Sequence, residues 1–293
     1  MRRTLAFGAF VLAVAALPAR AQHGAADVIF VPTPQVVVET MLRMANVGPG
    51  DYLIDLGSGD GRIVVAAAQR GARALGVDLD RVLLEGAIAA AAGAGVAERA
   101  AFREQNLFET ELQGATVVTT YLLPEMNLKL RPKLLELPAG TRIVTHDYHM
   151  GSWQPDERET LSVPEKRVGN PGWSYVYLWV VPARVAGRWR TEIALLEARQ
   201  PLEFALEQRF QAVTVREAAL GGQPVRAQRP SLRGDELRVG LEIGSGRAPM
   251  RCELRGRVAG DELRGDLYIW EGGVRHERRF TARRIAPGVE LMN

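Results

Sequence analysis

The stretch "DYLIDLGSGDGRIVVAAA", residues 51–68, runs from a strand-like apolar segment through a glycine-rich turn into a helix-like one. Gly57, Gly59 and Gly61 separate the two segments. Glycine is needed where the backbone turns with a positive φ or approaches a ligand closely. The pattern predicts an α/β fold whose loop holds a triphosphate, a dinucleotide, S-adenosylmethionine or nothing at all.

The spacing of the glycines separates these alternatives. A P-loop requires Gly-x-x-x-x-Gly-Lys followed by Ser or Thr, and no lysine is near this loop. A dinucleotide loop of the Gly-x-Gly-x-x-Gly type requires glycine where this chain has Arg62. The spacing Gly-x-Gly-x-Gly with Asp55 two residues ahead resembles the first motif of class I S-adenosylmethionine methyltransferases. That resemblance implies S-adenosyl-L-methionine as the cofactor.

Polar residues follow the next two predicted strands as well. Asp78 in "GVDLD" comes 23 residues after Asp55, which suits one helix and one strand between them. The resemblance implies that its carboxylate accepts both ribose hydroxyls. Many enzymes of the class have an Asp at the end of the third strand for the adenine amino group. Here the residue is Asn106, whose side-chain carbonyl can accept the same hydrogen bond.

A structural turn without a ligand does not explain polar residues at three successive strand ends. Thr33 is added because the segment "VPTP" can reach the amino-acid end of the cofactor. The predicted cofactor-binding residues are Thr33, Asp55, Gly57, Ser58, Gly59, Asp60, Gly61, Asp78 and Asn106.

Strand-like and helix-like segments alternate over residues 22–182, as in a parallel α/β sheet. The last strand-like run, "SYVYLWVVP" over residues 174–182, is expected to close the sheet. The helix that contains "EMNLKLRPKLLEL" is expected to be interrupted near Pro132. These residues are predicted to form one domain.

From residue 183 to residue 293 the chain has short β runs and turns. "GDELRVGLEI" from Gly234 and "GDELRGDLYI" from Gly260 repeat at an even offset of 26, so both copies keep the same face parity. Gly-Asp favours a two-residue hairpin turn. We predict a small antiparallel β-barrel or sandwich over residues 183–293.

The first residues have the pattern of an export signal. Two arginines precede the apolar run "LAFGAFVLAVAAL" over residues 5–17, and Ala19 and Ala21 occupy the small-residue positions of a cleavage site. Residues 1–21 are therefore expected to be a signal peptide, with the mature protein in the periplasm or cell envelope. The alternative is an uncleaved inner-membrane anchor with the domain facing the cytoplasm.

Removing residues 1–21 takes away three arginines and no acid, so the formal net charge falls from +3 to 0. The basic charge is then no indication of nucleic-acid binding, and no nucleic-acid partner is expected. The single Cys252 excludes an internal disulfide. The pair His146 and His149 would lie on opposite faces of an extended segment, so no metal site is predicted.

Three segments together support a narrower resemblance: "FVPTPQVVVETML", the glycine loop, and "THDYHMGSWQPD" over residues 145–156. They resemble bacterial relatives of the mitochondrial protein-lysine methyltransferases that modify the ATP synthase c subunit and the adenine nucleotide translocase. The resemblance covers about residues 30–182. It implies a Rossmann-like, seven-stranded methyltransferase sheet and a lysine side chain of a protein as the methyl acceptor. The C-terminal β region has no counterpart in those mitochondrial enzymes.

In open α/β sheets the ligand sits beyond the carboxyl ends of the strands, here "TYLLPE" and "THDYH". The candidate catalytic residues are Tyr121, Glu125, His146 and Asp147. Tyr121 could line an amine channel, and a carboxylate or His146 could orient the amine or accept its proton. Each also has a structural alternative: sheet packing for Tyr121, a helix cap for Glu125, and loop hydrogen bonds for His146 and Asp147.

Two other functions fit the same sequence. One is a non-catalytic, small-molecule-binding envelope protein on a retired methyltransferase fold. S-adenosylmethionine is made in the cytosol, and an exported protein that binds another small molecule would not need it. The other is a small-molecule methyltransferase, because the loop determines the methyl donor and not the acceptor.

Overall fold

The computed structural model describes residues 30–195, 198–244, 250–289 and 291. The predicted signal peptide lies outside these residues. Within the described ranges, the helices are too short or too polar to cross a membrane.

The first part of the chain builds a seven-stranded sheet flanked by four helices. Its elements are α1 (Gln35–Met44), β1 (Tyr52–Leu56), α2 (Arg62–Gln69), β2 (Arg73–Asp78), α3 (Arg81–Gly93), β3 (Ala100–Glu104), β4 (Val117–Thr120), α4 (Pro124–Leu134), β5 (Arg142–His146), β6 (Glu157–Val163) and β7 (Gly172–Val180).

The strand order is β3-β2-β1-β4-β5-β7-β6. The first five strands in this order run parallel, and β7 pairs antiparallel with both β5 and β6. The predicted Rossmann-like, seven-stranded methyltransferase sheet is confirmed. The strand order reverses between β1 and β4, so a crevice forms at their carboxyl ends.

Two local expectations are wrong. β7 does not close the sheet, because β6 pairs along its outer side. β6, with the sequence "ERETLSV", lies at the edge of the sheet and buries only Val163. It therefore has little of the apolar pattern by which a strand is predicted from sequence. Helix α4 is not interrupted at Pro132 but continues to Leu134. Pro132 removes one hydrogen bond of the helix, the one its amide would donate to residue 128, and only two helical residues follow it.

The second part of the chain builds a sheet of nine strands, all antiparallel to their neighbours. They are β8 (Gly187–Leu195), β9 (Ala198–Arg209), β10 (Ala212–Leu220), β11 (Gln223–Pro224), β12 (Arg226–Arg233), β13 (Glu236–Ile243), β14 (Met250–Ala259), β15 (Glu262–Glu271) and β16 (Val274–Pro287).

The predicted antiparallel β region is thus confirmed, as one continuous sheet in the order β11-β10-β9-β8-β16-β15-β14-β13-β12. It curls until β10 and β12 touch, and it encloses a core that includes Trp189 and Phe204, both fully buried.

The sequence repeat forms two equivalent hairpins of this sheet. Gly234 and Gly260, with φ of +57° and +58°, take the first central position of the β12–β13 and β14–β15 turns. Their positive φ is the reason for glycine at this position. The two strands that follow bury equivalent leucines, such as Leu237 and Leu263. The even offset of the repeat therefore does keep the same face inward.

An aromatic cluster joins the two sheets. Trp153 is fully buried, and its ring centroid lies 6.0 Å from those of Trp179 and Phe210. Phe210 and Gln211 form the turn between β9 and β10, and Gln211 Oε1 accepts a 3.0 Å hydrogen bond from Trp153 Nε1. The second sheet is thus packed against the first through a buried contact.

Candidate functional site

The glycine loop between β1 and α2 is built on left-handed backbone. Gly57, Gly59 and Gly61 have φ of +80°, +52° and +76°. The Gly57 amide donates to the Val77 carbonyl at 2.9 Å, which ties the loop to the end of β2. A Cβ on Gly61 would lie 2.6 Å from the Ala87 Cβ, so α3 packs directly on the loop. Only glycine permits both this φ and this close approach.

Asp78 stands at the carboxyl end of β2 beside the loop. Its Oδ2 accepts from the Gly59 amide at 2.8 Å, and its Oδ1 accepts from the Asp80 amide at 3.0 Å. Each carboxylate oxygen has a second lone pair and can accept another hydrogen bond. The half-buried Asp78 is therefore fixed in position with acceptor capacity left for two hydroxyl groups.

Asp55 lies under the loop and is 2% exposed. Its Oδ1 accepts a 2.7 Å hydrogen bond from the Thr119 hydroxyl of β4. Burial raises the pKa of Asp55 to about 7; the Thr119 hydrogen bond opposes this rise, and the Asp78 and Asp60 carboxylates add to it. Desolvation disfavours the charged form of a carboxyl group, which explains the direction of the shift.

Of three other predicted cofactor residues, Asp60 and Asn106 make local side-chain contacts and Ser58 does not. Asp60 forms an ion pair with Arg62, with Oδ1 2.9 Å from Nε. The Asn106 side-chain carbonyl accepts from the Phe108 amide at 3.0 Å. The buried Ser58 hydroxyl has no hydrogen-bond partner among the described residues. Their contacts with a cofactor stay predictions.

The segment before α1 links the glycine loop to the end of β5. The ring of Phe30 covers Gly59, where an added Cβ would lie 2.3 Å from it. The Thr33 carbonyl accepts from the Arg62 guanidinium at 2.7 Å. The Thr33 hydroxyl lies 3.2 Å from His146 Nδ1. Thr33 thus touches both the cofactor side and the predicted acceptor side of the crevice.

Tyr121, His146 and Asp147 come together at the carboxyl ends of β4 and β5. The ring centroids of Tyr121 and His146 are 3.8 Å apart, and His146 is fully buried. Asp147 adopts a left-handed φ of +64°, and its amide donates to the Tyr175 carbonyl of β7 at 2.6 Å. Glu125 is exposed in the first turn of α4, four residues after Tyr121 in the chain.

Sequence reasoning missed a buried lysine in this cluster. Lys166, from the loop between β6 and β7, is 6% exposed and forms an ion pair with Asp147 Oδ2. Its Nζ also donates to Ser174 Oγ and to the Trp173 carbonyl, each at 2.9 Å. The sequence offered one indication of Lys166: lysine is rare in this chain, where only three of the 37 Lys and Arg residues are lysines. We call Tyr121, His146, Asp147, Lys166 and Ser174 the polar cluster.

Burial determines the protonation of the cluster. It lowers the pKa of His146 to about 3; the Lys166 ammonium lowers this pKa further and the Asp147 carboxylate opposes both. Burial, the charge of Asp147 and the neighbouring Tyr148 raise the pKa of Tyr121. At neutral pH the site therefore presents a neutral imidazole and a protonated phenol.

Comparison with known proteins agrees with this geometry. A family model described as the ANTKMT methyltransferase domain matches residues 55–157. A protein-lysine N-methyltransferase of Saccharolobus islandicus is 39% identical over 155 residues, which are 52% of this chain and 92% of that protein. The chain belongs to this methyltransferase family. The predicted family resemblance and the predicted enzyme class are confirmed.

Other relatives match the same methyltransferase region over a smaller share of their length. Two lysine N-methyltransferases of Mus musculus, named for the adenine nucleotide translocase and for the c subunit of ATP synthase, are 38% and 37% identical over 120 and 128 residues. This chain spans about half the length of each, 52% and 51%. A solved structure from Salinibacter ruber, an RNA methyltransferase with S-adenosyl-L-homocysteine, is 46% identical. That match covers 53% of this chain and 96% of the other, with a TM-score of 0.47.

S-adenosylmethionine is the cofactor of this methyltransferase, and the loop residues fit it. The Asp78 carboxylate accepts one hydrogen bond on each oxygen and has acceptor sites left for ribose hydroxyls, and the Ser58 hydroxyl is buried without a hydrogen-bond partner among the described residues. The cofactor supplies an activated methyl group, so the protein's own residues have to bind, orient and exclude water. The described residues contain no group of three or more His, Cys, Asp or Glu side chains that could hold a metal.

Asp78→Ala is expected to weaken S-adenosylmethionine binding by at least about tenfold, because hydrogen bonds to a charged group contribute about 1.5–3 kcal/mol. Isothermal titration calorimetry with S-adenosylmethionine and S-adenosylhomocysteine measures this loss. Asp80→Ala is the matched control, because it removes a carboxylate from the same turn. The Asp80 carboxylate caps α3, so its loss should leave the affinity for S-adenosylmethionine near that of wild type. Equal affinities of wild type and Asp78→Ala would contradict the assignment.

Asp55→Asn is expected to change how stability depends on pH. The folded-state pKa of Asp55, about 7, is above its ordinary value of 3.8, so wild-type stability falls as the pH rises between these values. The amide that replaces the carboxyl group does not titrate, so the variant should gain about 4 kcal/mol relative to wild type across this window. Urea unfolding from pH 4 to pH 8 tests this; parallel stability curves would exclude it.

Proposed function

We propose that this methyltransferase transfers a methyl group to the ε-amino group of a lysine in a protein substrate. The observation that carries the proposal is the placement of an ammonium group in the polar cluster. The Lys166 Nζ lies among Asp147 Oδ2, Ser174 Oγ and the Trp173 carbonyl, at the end of β5 and the start of β7. The relatives named as lysine methyltransferases act on the same functional group.

The cluster suits an amine nucleophile. A lysine attacks only as the neutral amine, and desolvation favours that form by lowering its pKa. The phenol of Tyr121 and the imidazole of His146 form an uncharged wall beside the buried Asp147. A Cβ on Gly169 would lie 3.1 Å from Asp147 Oδ2 and 3.6 Å from the hydroxyls of Tyr121 and Tyr148. Three polar atoms thus converge where an amine could be oriented.

The test is methylation of poly-L-lysine with tritiated S-adenosylmethionine, followed by hydrolysis and chromatography for Nε-methyllysine. Wild type should yield methyllysine, and Tyr121→Ala should yield at least about tenfold less because it removes a wall of the amine site. Tyr268→Ala, in the second sheet, is the control. A reaction without poly-L-lysine measures the label that the enzyme places on its own three lysines.

Two outcomes would contradict the proposal. One is the absence of methyllysine with poly-L-lysine and with a whole-cell protein extract, in a sample that binds S-adenosylmethionine. The other is label that appears only in the small-molecule fraction of the extract.

We also propose that the protein is exported, on the strength of the N-terminal pattern alone. Fractionation of a Gram-negative host that expresses the full chain, with N-terminal sequencing of the purified product, tests this. Cleavage after Ala21 leaves Gln22 as the first residue of a periplasmic protein. Recovery from the cytoplasm with the first residues intact would rule out export.

A further inference from the structure

Lys166 is the only one of the three lysines that is buried. Its side chain is 4% exposed, whereas Lys129 is exposed and Lys133 is half-buried. Burying an ammonium is costly unless it is paired and fully hydrogen-bonded. In a chain whose other basic residues are almost all arginine, a buried lysine indicates a requirement for a compact ammonium.

The hydrogen bonds of Lys166 show what that requirement is. An ammonium has three donors, and Nζ has three acceptors: Asp147 Oδ2, Ser174 Oγ and the Trp173 carbonyl. They come from two strand ends, β5 and β7, that meet at the crevice. A planar guanidinium with five donors would leave protons unsatisfied in this space.

Asp147 is surrounded by neutral groups apart from this lysine. Its Oδ1 accepts from the Tyr175 amide at 3.1 Å and lies 3.5 Å from His146 Nε2. The titratable side chains near it on the packed elements are His146, Tyr148, Tyr121, Lys166 and Tyr177. Lys166 is the one cation among them, so it balances the charge of Asp147.

This balance bears on the nucleophile. A buried carboxylate without a cation would pair with an entering lysine ammonium and raise its pKa, because a nearby opposite charge favours the charged form. The acceptor would then be held in its protonated, unreactive state. A carboxylate that is already paired can still accept a hydrogen bond without this penalty.

We propose that Lys166 is a positioning residue that neutralises and anchors Asp147, so that the acceptor amine entering beside Tyr121 is not trapped as an ammonium. This inference rests on the proposed lysine methylation. It gives the β6–β7 loop a role in the reaction, because this loop supplies the cation that neutralises Asp147.

The same contacts connect Lys166 to the histidine. Lysine can only donate, so Ser174 Oγ accepts from Nζ and its own proton is directed to His146 Nε2, 3.0 Å away. A neutral His146 then carries its proton on Nδ1 and donates to the Thr33 hydroxyl. Lys166 therefore influences both the charge and the tautomer of His146, which can be measured without any methyl transfer.

The first experiment is ¹⁵N NMR of the histidine side chains during a pH titration of the full-length protein, which has four histidines. In wild type His146 should stay neutral, with its proton on Nδ1, to well below pH 5, in line with its lowered pKa. Lys166→Met removes the cation and leaves Asp147 to favour imidazolium, so His146 should titrate at a higher pH. Lys166→Arg keeps the charge and should titrate closer to wild type than Lys166→Met. Lys133→Met, the matched control outside the cluster, should match wild type.

The second experiment is the pH profile of methyl transfer to poly-L-lysine. Lys166→Met should shift the rising limb of the rate–pH curve to higher pH by about one unit or more. The rate should fall about tenfold near neutral pH, and this loss should shrink at alkaline pH. The double variant Lys166→Met/Asp147→Asn removes both charges and should return the limb toward the wild-type position. A purely structural lysine would lower the rate at every pH alike.

Failure of this inference is distinguishable from failure of the proposed function. An unchanged His146 titration in Lys166→Met, or an unshifted pH profile in a variant whose circular dichroism shows it to be folded, overturns the role of Lys166 while lysine methylation stands. If Lys166→Met does not fold, the double variant and Lys166→Arg are measured instead. A rate–pH curve of the double variant whose rising limb stays displaced from that of wild type overturns the role of Lys166.

Discussion

The site depends on the parallel pairing of β1 with β2 on one side and with β4 on the other. Parallel strands end at the same edge of a sheet, so this pairing brings Asp55, Asp78 and Tyr121 to one crevice although they are far apart in sequence. The hydrogen bonds from the loop amides to Val77 and Asp78 then fix the glycine loop over that edge. The cofactor side of the site is therefore a consequence of backbone geometry, with few side chains required.

The acceptor side depends on buried charge instead. β7 runs antiparallel to β5, and this reversal brings Ser174 and Tyr175 against His146 and Asp147. The loop that precedes β7 inserts Lys166 among them. A carboxylate and an ammonium that are both buried and hydrogen-bonded hold the cluster rigid, because either one alone would be costly to bury. Rigid placement of polar groups is what a methyl transfer that relies on alignment needs.

The residues of the glycine loop and of the polar cluster all precede the second sheet, which begins at Gly187. Its own core is filled around Trp189 and Phe204, and its buried contact with the first sheet is the cluster of Trp153, Trp179 and Phe210. Because this contact is aromatic and buried, packing holds the two sheets together.

The sequence alone determined the elements whose patterns are local. The glycine spacing, the apolar runs of β1 to β5 and the Gly-Asp turns at Gly234 and Gly260 each require a particular backbone conformation, so they predict an α/β sheet with a tight loop and the later hairpins. The cofactor and the seven-stranded methyltransferase sheet were implied by the resemblance of the loop and its flanking segments to known methyltransferases. The sequence also named Tyr121, His146 and Asp147, because strand ends can be read from apolar runs. The tertiary structure decided what depends on residues distant in sequence. The edge strand β6 has little apolar pattern of its own, and Lys166 sits in a loop where lysines are usually solvated. Its burial follows from three acceptors that meet only when β5 and β7 pair.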